Sequence, residues 1–152
     1  DIITMAKALG GGMAIGAMMA AREIADCLVP GKHASTFGGN PIACAAAIAV
    51  IEAIEQENLL ENTRRLGAYA KQQLGRLKDK HDIITEVRGT GLMIGVQLAS
   101  PGAWIVDRCL ERGLRINCTN NTILRFMPPM IVTKEQLDEA IDILDAVLSE
   151  SA

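Results

Sequence analysis

Residues 1–20 read DIITMAKALGGGMAIGAMMA. Asp1–Ala6 has the apolar, β-branched character of a short strand, and Ala14–Ala20 that of a second strand of small residues. Between them Gly10, Gly11 and Gly12 permit a tight turn. Lys7 is the residue out of place, a cation set among apolar neighbours. An amine in such surroundings loses hydration, which favours its neutral form. A neutral amine can act as a base or join a carbonyl as a Schiff base. A lysine at a strand end that reaches back to water accounts for the same residues.

Outward from this stretch, Ala21–Leu28 reads as a short helix stopped by Val29-Pro30-Gly31. The segment HASTFGGNP follows at 33–41. Its Ser35 and Thr36 hydroxyls, with the amides of Gly38 and Gly39, sit just before a helix start marked by Asn40 and Pro41. That is a place for a phosphate or carboxylate; ordinary loop and capping chemistry reads equally well. It is not a Walker A loop, because Lys32 lacks the glycine spacing and is followed by His33. From Pro41 the helix IACAAAIAVIEAI is apolar on nearly every side. Such a helix is expected inside something larger or against a partner.

The composition changes near Asn58. Leu59, Leu66, Tyr69, Leu74 and Leu77 mark one face of an amphipathic helix that leads to a second unit. Ile83–Val87 and Leu92–Leu98 are expected as strands, with Arg88-Gly89-Thr90-Gly91 as the turn between them. A helix over 101–112 ends at Gly113. Leu114–Asn117 and Ile123–Phe126 read as two more strands joined by the polar turn CTNN. Thr133 and Gln136 form a capping box, and Leu137, Ala140, Ile141, Leu144, Val147 and Leu148 a helical stripe. The second unit is therefore expected as β-β-α-β-β-α. Arg125, inside ILRFMPP, needs an anion, either a substrate carboxylate or a structural acid. Arg88 reads as a structural ion-pair or turn residue.

Bulk properties exclude several classes. Hydrophobic residues make up 49% of the 152 and the net charge is −3, so a globular core is possible and nothing basic suggests nucleic acid. Aromatics are only 3%, so the core must be aliphatic. No run is long enough to span a bilayer and no signal peptide is visible. Cys27, Cys44, Cys109 and Cys118 have no metal-ligand spacing and read as reduced thiols of a cytoplasmic protein. The first residue is Asp1, already strand-like, and the chain is expected to be a piece of something longer.

Four segments, DIITMAKALGGGMAIGAMMA, HASTFGGNPIACAAA, RGTGLMIGVQL and ILRFMPPMIVTKEQLDEAIDIL, together resemble the class III pyridoxal-phosphate aminotransferases, in order and in spacing. The resemblance covers essentially the whole chain. It implies an α/β fold of the type I pyridoxal-phosphate transferases: residues 1–60 as the end of the large cofactor domain with the start of an interdomain helix, and 61–152 as the small α+β C-terminal domain. It implies pyridoxal 5′-phosphate held by Lys7 as a Schiff base. Thr36 is implied to bind the cofactor phosphate, and Ser35 the substrate, across a homodimer interface. Arg125 is implied to bind a substrate carboxylate or pair with an acidic residue of the site. The implied reaction moves an amino group between N-acetylornithine and 2-oxoglutarate, as in arginine biosynthesis; ornithine, succinylornithine and 4-aminobutyrate remain open as donors. Ala14 stands where the family commonly has proline, and 98–113 is short for the family. The family's acidic partner of the pyridine nitrogen, glycine-rich phosphate cradle, stacking aromatic and upstream arginine precede Asp1. The chain by itself is therefore expected to be inactive, and a non-catalytic folded or dimerising fragment is the competing reading.

Overall fold

Ile2–Met5 (β1) pairs antiparallel with Ala17–Ala20 (β2), Ile2 facing Ala20 and Met5 facing Ala17 in the register. The computed structural model describes residues 1–150. Both strands are shorter than the sequence suggests. Beyond Met5 the chain tightens into a single 3-10 turn over Lys7–Gly10, and residues 14–16 lie outside the ladder. Of the glycines after Lys7, Gly10 is fixed by packing, while Gly11 and Gly12 take positive φ. A Cβ on Gly10 would sit 2.7 Å from Ile15 Cγ2, and one on Gly11, at φ 58°, 3.2 Å from Val50 Cγ2.

Arg22–Ala25 (α1) is one helical turn, and Pro41–Gln56 (α2) is a full helix. Asn40 caps α2: its Oδ1 accepts from the amides of Ile42 at 2.9 Å and Ala43 at 3.3 Å. Pro41 at the first position has no amide to satisfy. Within this chain α2 is left largely uncovered. Only Ala43 and Ala47 are buried, while Ile42 is 69% and Ile48 57% exposed. The covered side chains are small ones, and large ones are exposed.

The chain divides into two compact units, the first ending at Asn58 and the second starting at Leu59. The second unit holds Leu59–Lys80 (α3), Ile84–Thr90 (β3), Met93–Leu98 (β4), Ala103–Glu111 (α4), Asn117–Thr119 (β5), Ile123–Phe126 (β6) and Lys134–Ser149 (α5). The four strands form one antiparallel sheet in the order β3-β4-β6-β5. The amphipathic α3 is more than a connector. Its Leu66, Ala70, Leu74 and Leu77 join Val96, Ile105, Leu124 and Leu144 in one aliphatic core on the helical side of the sheet. Burying each of the leucine, isoleucine and valine side chains contributes about 1.5–3 kcal/mol.

Two boundaries differ from the sequence reading. β3 runs through Arg88, Gly89 and Thr90, all paired with β4, so the turn falls at Gly91-Leu92. Only Gly91 and Gly89 take positive φ there, and Gly89 has no room for a side chain, since a Cβ would meet Met93 O at 2.1 Å. Leu114–Ile116 is not strand. The Leu114 amide donates to Cys109 O at 2.9 Å and closes α4, while Leu114 and Ile116 pack against the core. β5 therefore begins at Asn117. The capping box of α5 is present: Gln136 N donates to Thr133 Oγ1, and Thr133 N to Gln136 Oε1.

Candidate active site

Lys7 sits where β1 gives way to the 3-10 turn, with φ 54°. A side chain in the left-handed region is strained by about 1–2 kcal/mol unless it is Gly, or the short polar Asn or Asp. The other non-glycine residues described with positive φ are Asn58, Asn120 and Asn121, a type that tolerates this conformation. Lys7 is the exception in residue type. Val50 of α2 and Ile15 stand close to the backbone of Gly11 and Gly10, which follow it. Strain of this kind collects at functional sites, where the surroundings over-determine the backbone. The side chain itself is exposed. The loss of hydration read from its apolar sequence neighbours is therefore not supplied by this chain.

Ser35 and Thr36 lie on an exposed loop ahead of α2. Gly38 N donates to Ser35 O and Asn40 N to Phe37 O, each at 3.2 Å, so the loop is two overlapping turns. A side chain at 38 would be crowded, as a Cβ there would lie 3.2 Å from that of Ser35. The first-turn amides of α2 are all engaged: Ile42 and Ala43 by the Asn40 side chain, Cys44 by Asn40 O. The Gly38 amide is likewise engaged. An anion here must be held by the loop's hydroxyls and the Gly39 amide, not by the helix terminus. Phe37 is 80% exposed in the same loop.

Arg125 lies on β6 in the second unit, on the sheet face away from the helices. Its Nε donates to Asn117 Oδ1 at 3.1 Å. Among the described residues it is in no ion pair, so the structural acid considered for it is not found here. Arg88 is the structural arginine instead, with Nη1 on Glu86 Oε2 at 2.8 Å and Nη2 on Gln97 Oε1 at 3.2 Å. Lys7, Ser35 and Thr36 belong to the first unit and Arg125 to the second. Sequence reasoning missed Asn117. The period-2 alternation of β5 and β6 would have put it on Arg125's face had β5 been placed correctly.

The residues present fit a group bearing an aldehyde and a phosphate. An exposed amine is fixed by a strained turn, and free hydroxyls stand on a loop whose left-handed Gly39 has open space around it. Among the described residues no helix is long and apolar enough to cross a membrane, and no cluster of three or more ligating residues could hold a metal.

Residues 1–148 match the aminotransferase class-III family model, and the chain belongs to that family, whose cofactor is pyridoxal 5′-phosphate. Acetylornithine aminotransferase of Methanocaldococcus jannaschii is 51% identical over 150 residues, covering 99% of this chain and 38% of the relative. Its namesake in Caldanaerobacter subterraneus subsp. tengcongensis is 49% identical over 151 residues, with the same coverage. The fold matches the crystal structure of acetylornithine aminotransferase from Elizabethkingia anophelis with a TM-score of 0.92 at 37% identity, over 99% of this chain and 41% of that one. An ornithine aminotransferase from Toxoplasma gondii, described with pyridoxal phosphate at its active site, matches at 0.92 and 34%, over 99% and 36%. The α/β class expected from the sequence is thus shown. The chain spans 38% of the length of the curated relatives just named.

Proposed function

We propose that this chain is the lysine-bearing part of an enzyme that moves an amino group between N-acetylornithine and 2-oxoglutarate, in arginine biosynthesis. The observation that carries the reading is Lys7, a lysine held at φ 54° in a turn where glycine or asparagine is the unstrained choice. The names of the relatives support the donor; ornithine, succinylornithine and 4-aminobutyrate are the near alternatives. Residues 1–60 are assigned to the large cofactor domain and 61–152 to the small domain.

Pyridoxal phosphate, when bound, supplies an aldehyde that joins amines and a ring that accepts electron density. Lys7 Nζ would hold the aldehyde covalently and, once freed, take a proton from the carbon bearing the donor's free amine (Cδ in N-acetylornithine) and, in the second half-reaction, give one to the carbon that becomes Cα of the amino-acid product. Its hydration must be reduced by surfaces outside this chain for that amine to be neutral at its work. Thr36 Oγ1 would donate to the phosphate and Ser35 would touch the substrate, both in the neighbouring subunit's site of a cytoplasmic homodimer. Arg125 would grip a substrate carboxylate through its guanidinium fork.

The test is to mix the full-length protein with pyridoxal phosphate, reduce with borohydride and map the labelled peptide. Label confined to the peptide holding Lys7 is expected. Label spread over surface lysines, or full turnover by a Lys7→Ala protein, overturns the assignment. A panel of the four amino donors then ranks them by kcat/KM. For the polypeptide of 152 residues alone, the exposed apolar face of α2 favours a folded but non-catalytic piece, and the same labelling on it distinguishes the two.

A further inference from the structure

On the sheet face away from the helices, Arg88, Gly95, Arg125 and Asn117 stand side by side, one on each of β3, β4, β6 and β5. The register pairs Arg88 with Gly95, Gly95 with Arg125, and Arg125 with Asn117. Adjacent strands are about 4.8 Å apart, so the two arginine Cα atoms are separated by roughly 10 Å with a bare glycine between. The arginines are not equivalent. Arg88 is tied off: Glu86 neutralises it and Gln97 accepts from its other terminal nitrogen. Gln97 is itself anchored by donating to Thr122 Oγ1 at 2.9 Å and to Thr122 O at 3.1 Å. Arg125 is held only at Nε, by Asn117. Among the described residues its two terminal nitrogens have no protein partner.

The geometry points to Asn117 as the positioning residue of Arg125, which it fixes so that the two Nη groups present end-on to a substrate carboxylate. A neutral amide at this place orients the guanidinium without discharging it. An acid would cancel the charge that the carboxylate needs, as Glu86 does for Arg88. Gly95 keeps the neighbouring position free of any side chain that could lie across the fork. Pinning Nε also leaves the planar fork with less rotamer freedom to lose on binding, which favours affinity for the anion over the rate of the chemical step. This rests on Arg125 being the carboxylate-binding arginine of the proposed function.

The experiment uses the full-length enzyme and two readouts: steady-state kinetics with 2-oxoglutarate, and calorimetric binding of glutarate, a dicarboxylate with no keto group to react. Asn117→Ala is expected to raise KM for 2-oxoglutarate by about 3- to 10-fold and weaken glutarate by the same factor, with kcat changed less than about twofold. Asn117→Gln, which keeps a carbonyl acceptor, should recover most of the affinity. Asn117→Asp should weaken glutarate further than the alanine does, and being isosteric it serves if the alanine variant fails to fold. Unchanged glutarate affinity in Asn117→Ala or Asn117→Asp, alongside a loss in Arg125→Lys, overturns the role of Asn117 and leaves that of Arg125. Unchanged affinity in Arg125→Lys overturns the reading of Arg125 itself, and the role of Asn117 with it.

Discussion

His81 Nε2 lies 2.6 Å from Asp145 Oδ1 and joins the end of α3 to the last turns of α5. Lys80 Nζ reaches the other oxygen of the same carboxylate at 2.7 Å. The two hydrogen bonds, that of His81 foremost, hold the Asp145 carboxyl below the usual carboxylate range. A lowered folded pKa means stability present above the unfolded value, near 3.9, and lost as pH falls through the folded one. Asp145→Ala should lower stability by about 1–2 kcal/mol at neutral pH. The gap to the wild type should shrink in acid. Urea unfolding at neutral pH and at pH values below the unfolded one checks both; a gap independent of pH is the contrary result.

Two glycines of α3 should respond to alanine with opposite sign. A Cβ on Gly67 would stand 2.2 Å from Gly91 O, in the backbone of the β3–β4 turn. Backbone cannot move aside cheaply, so Gly67→Ala should cost about 3 kcal/mol or more. Gly75 has nothing within 4 Å of that position, and Gly75→Ala should stabilise by about 0.5–1 kcal/mol through the helix alone. Urea midpoints of the two variants decide it.

At position 7, glycine should be more stable than alanine by about 1 kcal/mol, the reverse of their order in a helix, because only glycine is unstrained at φ 54°. Both substitutions should abolish borohydride labelling at that position. Thermal unfolding of the full-length Lys7→Gly and Lys7→Ala proteins measures the difference; alanine equal to or above glycine would mean the turn stores no strain.

The thiols should react in order of access. Cys27 is exposed, whereas Cys109 is buried and its thiol pushed up to about 11 by burial, against a smaller opposing pull from Arg112. Since the thiolate is the nucleophile, iodoacetamide at neutral pH should label Cys27 within the native state and Cys109 only on unfolding. Timed quenching with mass spectrometry reads the order.

Local chemistry was legible from the sequence, and pairing at a distance was not. Asn40 with Pro41, and Thr133 with Gln136, announce their helices because the capping groups lie within three residues of each other. The turn set at 88–91 failed because whether Arg88–Thr90 continues a strand depends on β4 reaching it, not on its own glycines. Leu114–Ile116 looks like a strand and acts as a core plug, since apolar character says nothing of pairing. Lys7 could be singled out by its neighbours, yet its exposure could not be read from them, because exposure is set by packing at a distance. Arg125 was legible as an arginine needing a partner; that the partner is the Asn117 amide required the register of β5 against β6.

The short link of Asn120, Asn121 and Thr122 joins β5 to β6, its two asparagines both left-handed, at φ 50° and 62°. Side chains alternate along β6, with Leu124 and Phe126 inward and Arg125 outward. Inserting or deleting one residue in that link would slide β6 by one place and exchange the two sets. Core filling and anion presentation are thus encoded by the same parity. A drifting lineage cannot lengthen this loop by one and keep either.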